Sequence, residues 1–207
     1  MTKSIKIANT EIVIADGPIG ISLSGGADSS LLLYILMSNH TGPIHAFTCA
    51  SEKKLKASAR VSQQVVQRAI ELTGNDKVVH HTWYVKEQTN EDLKSTVNSY
   101  MTLGLFNSRY VAVTANPPAD IADGFTAINT QQQVRDPLVR RLTKSGNVYK
   151  PFTNTNKKRI GEMYTELEIT DSLFPVTRSC ESLDRDQGHC GRCWWCQERM
   201  WGFGRLD

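Results

Sequence analysis

The chain has 207 residues and a mass of 23.1 kDa, enough for one well-buried domain with a small appendage. Its composition, 40% hydrophobic and 22% charged, is ordinary for a soluble globular protein, and no repeat, low-complexity tract or flexible linker interrupts it. The longest apolar run, Leu31 to Met37, is far too short to span a bilayer, and the start of the chain does not read as a signal-peptide core, so a soluble, cytoplasmic protein with no membrane contact is expected. Net charge is only +3, yet it is unevenly spread. Between Arg135 and Arg159 stand Arg135, Arg140, Arg141, Lys144, Lys150, Lys157, Lys158 and Arg159 against the single acid Asp136. Such a segment suits a polyanion, either a nucleotide triphosphate or a nucleic-acid backbone, and the competing reading is a solvated basic surface.

In chain order, Ile5 and Ile7 alternate, then Ile12 and Ile14 after Asn9-Thr10, which predicts a short hairpin or edge strand. Ile19 to Leu23 is a brief apolar strand running into Ser24-Gly25-Gly26-Ala27-Asp28-Ser29-Ser30, and the stretch from Leu31 continues as a helix. A second strand is predicted over 44–49, followed by a helix with Val61, Val65, Ala69 and Leu72 on one face. A third strand is predicted over 78–85, a helix over about 91–106, a fourth strand over 110–114 and a helix over 157–167. Strands alternating with helices at this spacing imply βαβ units and a parallel sheet covered on both faces.

The glycine segment carries the first chemistry. Gly25 and Gly26 let the backbone turn tightly and approach a ligand closely. The amides that follow point out of a helix N-terminus, where the helix dipole favours an anion. Ser24, Ser29 and Ser30 add hydroxyls, so the segment reads as a phosphate cradle at the carboxyl end of a parallel strand. It is not a Walker A loop, because Asp28 rather than Lys precedes Ser29, and it does not match GxGxxG. The competing reading is a plain strand-to-helix turn in which Asp28 serves only the helix.

Four of the five cysteines crowd the last 28 residues as C-x9-C-x2-C-x2-C: Cys180, Cys190, Cys193 and Cys196. Thiolates at this spacing close a tetrahedral structural zinc site, with Gly188 and Gly191 easing the backbone around the ion. An iron–sulfur cluster, a redox-active CxxC pair or free buried thiols are the competing readings. His189 is adjacent but unneeded in a complete four-thiolate set, and Cys49, inside a strand, reads as a core residue. Trp194, Trp195, Trp201 and Phe203 are placed to pack the knuckle on the main domain.

The sequence SGGxDS is the PP-loop signature, and the chain resembles the ATP pyrophosphatases that cleave ATP between its α and β phosphates and adenylate a substrate. Lys150-Pro151-Phe152, Lys157-Lys158-Arg159-Ile160, Ser179-Cys180 and the tail Cys190-Gly191-Arg192-Cys193-Trp194-Trp195-Cys196-Gln197-Glu198-Arg199 followed by Gly202-Phe203 further resemble the 7-cyano-7-deazaguanine synthases of queuosine biosynthesis. The resemblance implies an α/β fold: a doubly wound parallel sheet of the adenine nucleotide alpha hydrolase type over residues 1–174, with a C-terminal four-cysteine zinc knuckle over 175–207. It implies ATP binding by Ser22, Leu23, Ser24 to Ser30, Phe47, Thr48 and Lys157, with Lys157 and Asp28 catalytic, Mg²⁺ on the triphosphate and zinc on the four cysteines. The implied reaction joins 7-carboxy-7-deazaguanine and ammonia at the expense of ATP, giving the nitrile, AMP and pyrophosphate. A homodimer is compatible with it.

The chain departs from that family where the substrate wall is expected. Ala50 to Lys54 replace a tyrosine-glycine-glutamine-arginine-histidine stretch. Thr114 to Asp120 replace an asparagine-led segment, the later tyrosine-proline-aspartate-cysteine-arginine motif is absent, and Asn116, Asp120 and Arg135-Asp136 are the candidate replacements. Two alternatives therefore stand beside the main expectation. One is adenylation of another carboxylate or amide, or of a base in tRNA or DNA; the other is a non-catalytic nucleotide-binding zinc module.

Overall fold

The computed structural model describes residues 2–51, 56–85, 90–125, 140–143, 146–180 and 188–207. Strands β1 (Lys3–Ile7) and β2 (Thr10–Ile14) form a separate antiparallel hairpin. Its turn places Ala8 and Asn9 at φ 42° and 62°, a left-handed conformation that asparagine tolerates better than most residues. The hairpin joins the main core through Ile7, Ile12 and Ile14, and a phenol of the main sheet bonds its backbone. The Tyr110 hydroxyl donates to Val13 O at 2.9 Å and accepts from Ala15 N at 2.8 Å. Burial pushes that phenol's pKa well up, which keeps it neutral and able to do both.

Among the described residues the main sheet has six strands in the order β5-β4-β3-β6-β8-β7: β3 (Ile19–Ser22), β4 (Ile44–Ser51), β5 (Val78–Val85), β6 (Ser108–Val111), β7 (Arg140–Thr143) and β8 (Gly146–Tyr149). All neighbours are parallel except the β7–β8 pair. The expected parallel α/β sheet is therefore present, with an antiparallel ribbon added at one edge. The second strand runs two residues beyond its expected end, to Ser51, because all eight residues pair with β5. The fourth pairs over Ser108–Val111 rather than 110–114, since β3, its neighbour, ends at Ser22 opposite Val111.

One face is covered by α1 (Ala27–Asn39), α2 (Lys56–Thr73) and α5 (Lys157–Glu166), which share a core with Ile19, Ile21, Ile44 and Tyr110. Helix α1 is apolar almost all round, as expected of a helix packed on several sides. Val61, Val65 and Ala69 are buried along α2 as its periodicity predicts, whereas Leu72 stands at the exposed end. The other face is covered by α3 (Asn90–Thr102), where Val97 and Met101 pack with Phe47 and Phe106. A short helix α4 (Ala119–Ala122) follows β6, a 3-10 turn spans Phe174–Val176, and α6 (Trp194–Phe203) follows the cysteine cluster and packs on α5. No helix among the described residues is long and apolar enough to cross a membrane.

Under α3 lies a histidine-rich layer. His45 Nδ1 and His81 Nε2 share a hydrogen bond at 3.0 Å, His81 stacks on Phe47, and on the opposite face His80 Nε2 meets the Thr48 hydroxyl at 2.8 Å. Burial lowers the pKa of His45, His80, His81 and His40 from the ordinary 6.5. The fold holds these rings neutral, while the unfolded chain protonates them near 6.5. Their contribution to stability is therefore present above that pH and is lost as pH falls through it. Thermal denaturation at successive pH values should show Tm falling steadily from pH 7 to 5. Replacement of His45 and His81 together by Asn should flatten the fall; an unchanged slope in that variant would show the pair does not contribute.

Candidate nucleotide site and metal centre

In an open parallel sheet the ligand crevice lies beyond the carboxyl ends of the strands where the chain reverses its direction of winding. Here that point lies between β3 and β6: from β3 the chain winds outward through β4 to β5, then returns to the other side of β3. The glycine segment leaves β3 at this point, and Thr114 leaves β6 beside it, with its hydroxyl directed at Asp28 Oδ2 at 3.5 Å.

The loop is held from several sides. Leu23 N donates to Phe47 O at 2.8 Å, and the Thr48 hydroxyl donates to Leu23 O at 2.8 Å. Gly25 turns at φ +79°, and a β-carbon there would lie 2.8 Å from Val61 Cγ1, so both conformation and space call for glycine. Arg178 N donates to Gly25 O at 2.8 Å. Ser29 and Ser30 are buried, and both hydroxyls donate to Gly26 O, at 3.2 and 2.8 Å. Ser24 is exposed, its hydroxyl 3.1 Å from that of Ser29. The first amides of α1, from Ala27, have no acceptor within their own helix and point out of its N-terminus.

Lys157 begins α5, whose N-cap Asn156 accepts from Arg159 N at 3.2 Å. Although lysine rarely leaves water, Lys157 is only 5% exposed. Its ammonium group is ion-paired with Asp28 Oδ2 and lies 3.8 Å from Glu198 Oε2. The other Asp28 oxygen, Oδ1, is buried and has no hydrogen-bond partner among the described residues, a carboxylate oxygen suited to a cation. The structure thus brings Asp28, Lys157 and Thr114 together with the loop. Phe47 and Thr48, expected to meet the adenine through backbone, end the strand beside the loop: the Phe47 ring lies in the α3-side core, and the Thr48 hydroxyl lies between Leu23 O and His80.

The basic segment resolves into separate parts. Lys157 is paired as described, Arg159 pairs with Glu162, and Lys158 lies over the Trp201 ring. Lys150 is half-buried after β8, and Arg140 and Arg141 lie on β7. Arg135, Asp136, Lys144 and the 52–54 stretch lie outside the described residues. Asn116 is half-buried and Asp120 exposed, both beyond the end of β6.

The four cysteines form one cluster, with all Sγ atoms within 4.8 Å of one another. Cys190 and Cys196 Sγ are 3.9 Å apart, as are Cys180 and Cys193. These distances are too long for a disulfide, and a tetrahedron with zinc–sulfur bonds near 2.3 Å has edges of about 3.8 Å. The residues therefore fit a four-thiolate metal ion. Burial works to raise the Cys190 thiol, but the amides of Arg192 and Cys193 and the neighbouring thiols together bring it down, whereas burial and the other thiols push the Cys196 thiol up. His189 is outside the cluster, bonded through Nδ1 to Asp207 at 2.9 Å, and Cys49 is buried in β4. Of the tail's aromatic residues, Phe203 packs against Phe174, Trp194 stands edge-on to Phe125, and Trp195 packs on the cysteine cluster itself.

Among the described residues, three buried charges carry no signal in the sequence: Arg109, which donates to Ser22 Oγ at 3.0 Å, Glu198 and Arg199. Glu198 and Arg199 follow Cys196 on α6, and both are fully buried. Arg199 donates to Thr177 Oγ1 at 2.9 Å, Phe174 O at 3.1 Å and Leu206 O at 2.7 Å, and lies over the Phe174 ring. Burial lowers its pKa to about 10, so it stays charged at neutral pH. Adjacent charged residues beyond a cysteine pair look like surface in a sequence. Only the docking of α6 on α5 shows otherwise: a β-carbon at Gly202 would lie 2.5 Å from Lys157 Cβ, so the helices touch backbone to side-chain root.

The family model described as asparagine synthase matches residues 4–112, from the hairpin through β6 and including the loop. The chain belongs to the asparagine synthase family. At that level it is a PP-loop enzyme that uses ATP and adenylates its substrate, a ligase-type activity. The cysteine cluster lies beyond the matched residues. No curated protein matches the sequence. Among solved structures the chain is similar to that of NMN synthetase from Francisella tularensis, at 18% identity and a TM-score of 0.43, over 91% of this chain and 78% of that one.

Purified protein should carry one zinc per chain by atomic absorption. Cys193→Ser should lose the metal and about 4 kcal/mol of stability or more, about 10 °C in Tm for a chain of this size. Full stability without metal would remove the ion from the account of the fold.

Proposed function

We propose that this chain converts 7-carboxy-7-deazaguanine and ammonia to 7-cyano-7-deazaguanine in two ATP-dependent adenylations. The observation that carries the ATP half of this reading is the meeting of the glycine loop, Asp28 and Lys157 at the reversal point of the sheet. The acceptor rests on the order and spacing of the cysteine tail and the segments before it, which resemble those of the deazaguanine synthases.

The chemistry follows from a poor leaving group. In the first step a substrate carboxylate oxygen attacks the α-phosphorus of ATP, and pyrophosphate departs with the electrons of the α–β bridge. Ammonia then adds to the acyl carbon and, after losing a proton, expels AMP to leave the amide. In the second step the amide oxygen attacks another ATP. Loss of AMP and the remaining N–H protons then closes the nitrile. Each adenylation builds negative charge on the departing pyrophosphate. The α1 amides and the Lys157 ammonium are fixed beforehand at the place where that charge would develop. In this reading Ser24 to Ser30 hold the β and γ phosphates, and Asp28 orients Lys157 through Oδ2 while offering Oδ1 to the magnesium that accompanies ATP. Zinc held by Cys180, Cys190, Cys193 and Cys196 would have four protein ligands and no open position, so its role would be structural.

A second reading, adenylation of a base within a nucleic acid, is favoured by one observation. A groove of about 710 Å³ beside the loop is lined by Arg60 and Arg178, by Gln63, Gln64 and Gln67, and by Arg68 paired with Glu71.

Incubation of the protein with ATP, Mg²⁺, ammonium and 7-carboxy-7-deazaguanine, followed by mass spectrometry, should show nitrile, AMP and pyrophosphate. Lys157→Ala should slow AMP release about 10²- to 10³-fold. Amide alone would limit the enzyme to the first adenylation. Absence of both products, with AMP formed instead when tRNA or DNA is supplied, would replace the deazaguanine acceptor by a nucleic-acid one.

A further inference from the structure

The helix that the cysteine cluster starts ends up inside the nucleotide site. Cys193 is the N-cap of α6 and Cys196 lies in its first turn. Glu198, in the next half-turn, is fully buried, and its Oε2 lies 3.8 Å from Lys157 Nζ. The Lys157 ammonium therefore sits between two carboxylates, Asp28 from the start of α1 and Glu198 from the knuckle's own helix. Gly202, one turn further along α6, packs directly on the Lys157 backbone, so α6 cannot shift without moving that lysine or leaving it. Arg199 provides a second connection: it binds Thr177 Oγ1 and Phe174 O, and the same segment continues to Arg178, whose amide holds Gly25 O.

We propose that Glu198 is a positioning residue, the second carboxylate that fixes the Lys157 ammonium, and that metal occupancy of the four-cysteine knuckle thereby governs the geometry of the phosphate-binding site. A buried glutamate is costly unless a cation answers it, and a buried lysine equally so. Each meets the other only when α6 is docked on α5, and α6 is anchored at its start by two of the four thiolates. Loss of the metal frees that end of the helix, withdraws Glu198, and leaves Lys157 held by Asp28 alone. The effect on the lysine follows from the contacts just given; its consequence for ATP rests on the reading of Lys157 as a phosphate-facing residue.

The two levels are separated by measuring the lysine itself. Full-length protein, wild type and Glu198→Gln, is labelled with acetic anhydride, and acetylation of Lys157 is followed by mass spectrometry relative to the exposed Lys3 and Lys6. Metal content is measured in parallel. In wild type with metal, Lys157 should acetylate slowly. In Glu198→Gln with metal retained, and in wild type stripped by a chelator, the relative rate should rise at least about fivefold, because an opposed charge has been removed or withdrawn. Wild-type rates in both samples would overturn the proposal. If the variant does not fold, the stripped and reloaded wild type decides alone: a rise on stripping that reverses on reloading with zinc supports it, and no change overturns it. Calorimetry with α,β-methylene-ATP and Mg²⁺ on wild type and Lys157→Ala tests the other level. Equal affinity there would remove Lys157 from the phosphate site while leaving the labelling result standing.

Discussion

An ammonium group taken out of water dictates much of this architecture. Lys157 is almost fully buried at the first turn of α5. The cost of such a burial is several kcal/mol unless opposite charge stands close by. The answering carboxylates are Asp28 and Glu198, distant from Lys157 in sequence on either side. Neither half of the chain satisfies the lysine alone. The sheet must form to present Asp28, and the tail must dock to present Glu198.

That requirement explains why the tail is built as it is. A short helix carrying two buried charges side by side, Glu198 and Arg199, would not hold its place by hydrophobic contact alone. The cluster of thiols fixes its start, the close approach at Gly202 fixes its distance from α5, and Arg199 ties it to the 174–177 turn. The Tyr164 hydroxyl, donating to Ala27 O at 2.9 Å, joins the same α5 to the beginning of α1. Loop, lysine helix and knuckle thus form one mechanically continuous unit around the reversal point of the sheet.

How much of this was legible in the sequence depended on whether the signal was local. The loop, the strands Ile19–Ser22 and Val78–Val85, and the helix beginning at Lys157 announce themselves through alternation, glycine pairs and helix starts, and the structure has them. The cysteine spacing likewise declares one cluster. The β7–β8 ribbon leaves no mark in the sequence because Arg140-Arg141 and Gly146-Asn147 carry no apolar alternation; β8 is a strand through pairing with β6, and β7 through pairing with β8. The end of β6 was misjudged because Ala112 to Thr114 look strand-like, yet their neighbour β3 has already turned into the loop. Glu198 was invisible for a deeper reason. Its burial depends on a contact between two helices, and nothing within a few residues of it records that contact.

The clamped state of Gly25 has a further consequence. Its carbonyl is already bonded to Arg178 N, its α-carbon rests on Val61, and the hydroxyls of Ser29 and Ser30 are committed to Gly26 O. A glycine-rich segment left loose would surrender its conformational freedom at the moment a phosphate arrived, and the affinity would be lower by that loss. Here the surrender happens when the protein folds. Under the proposed function, an arriving anion would meet a lattice of amides already at rest, and selectivity between ligands would be decided by where their charges fall and not by how well each can organise the loop.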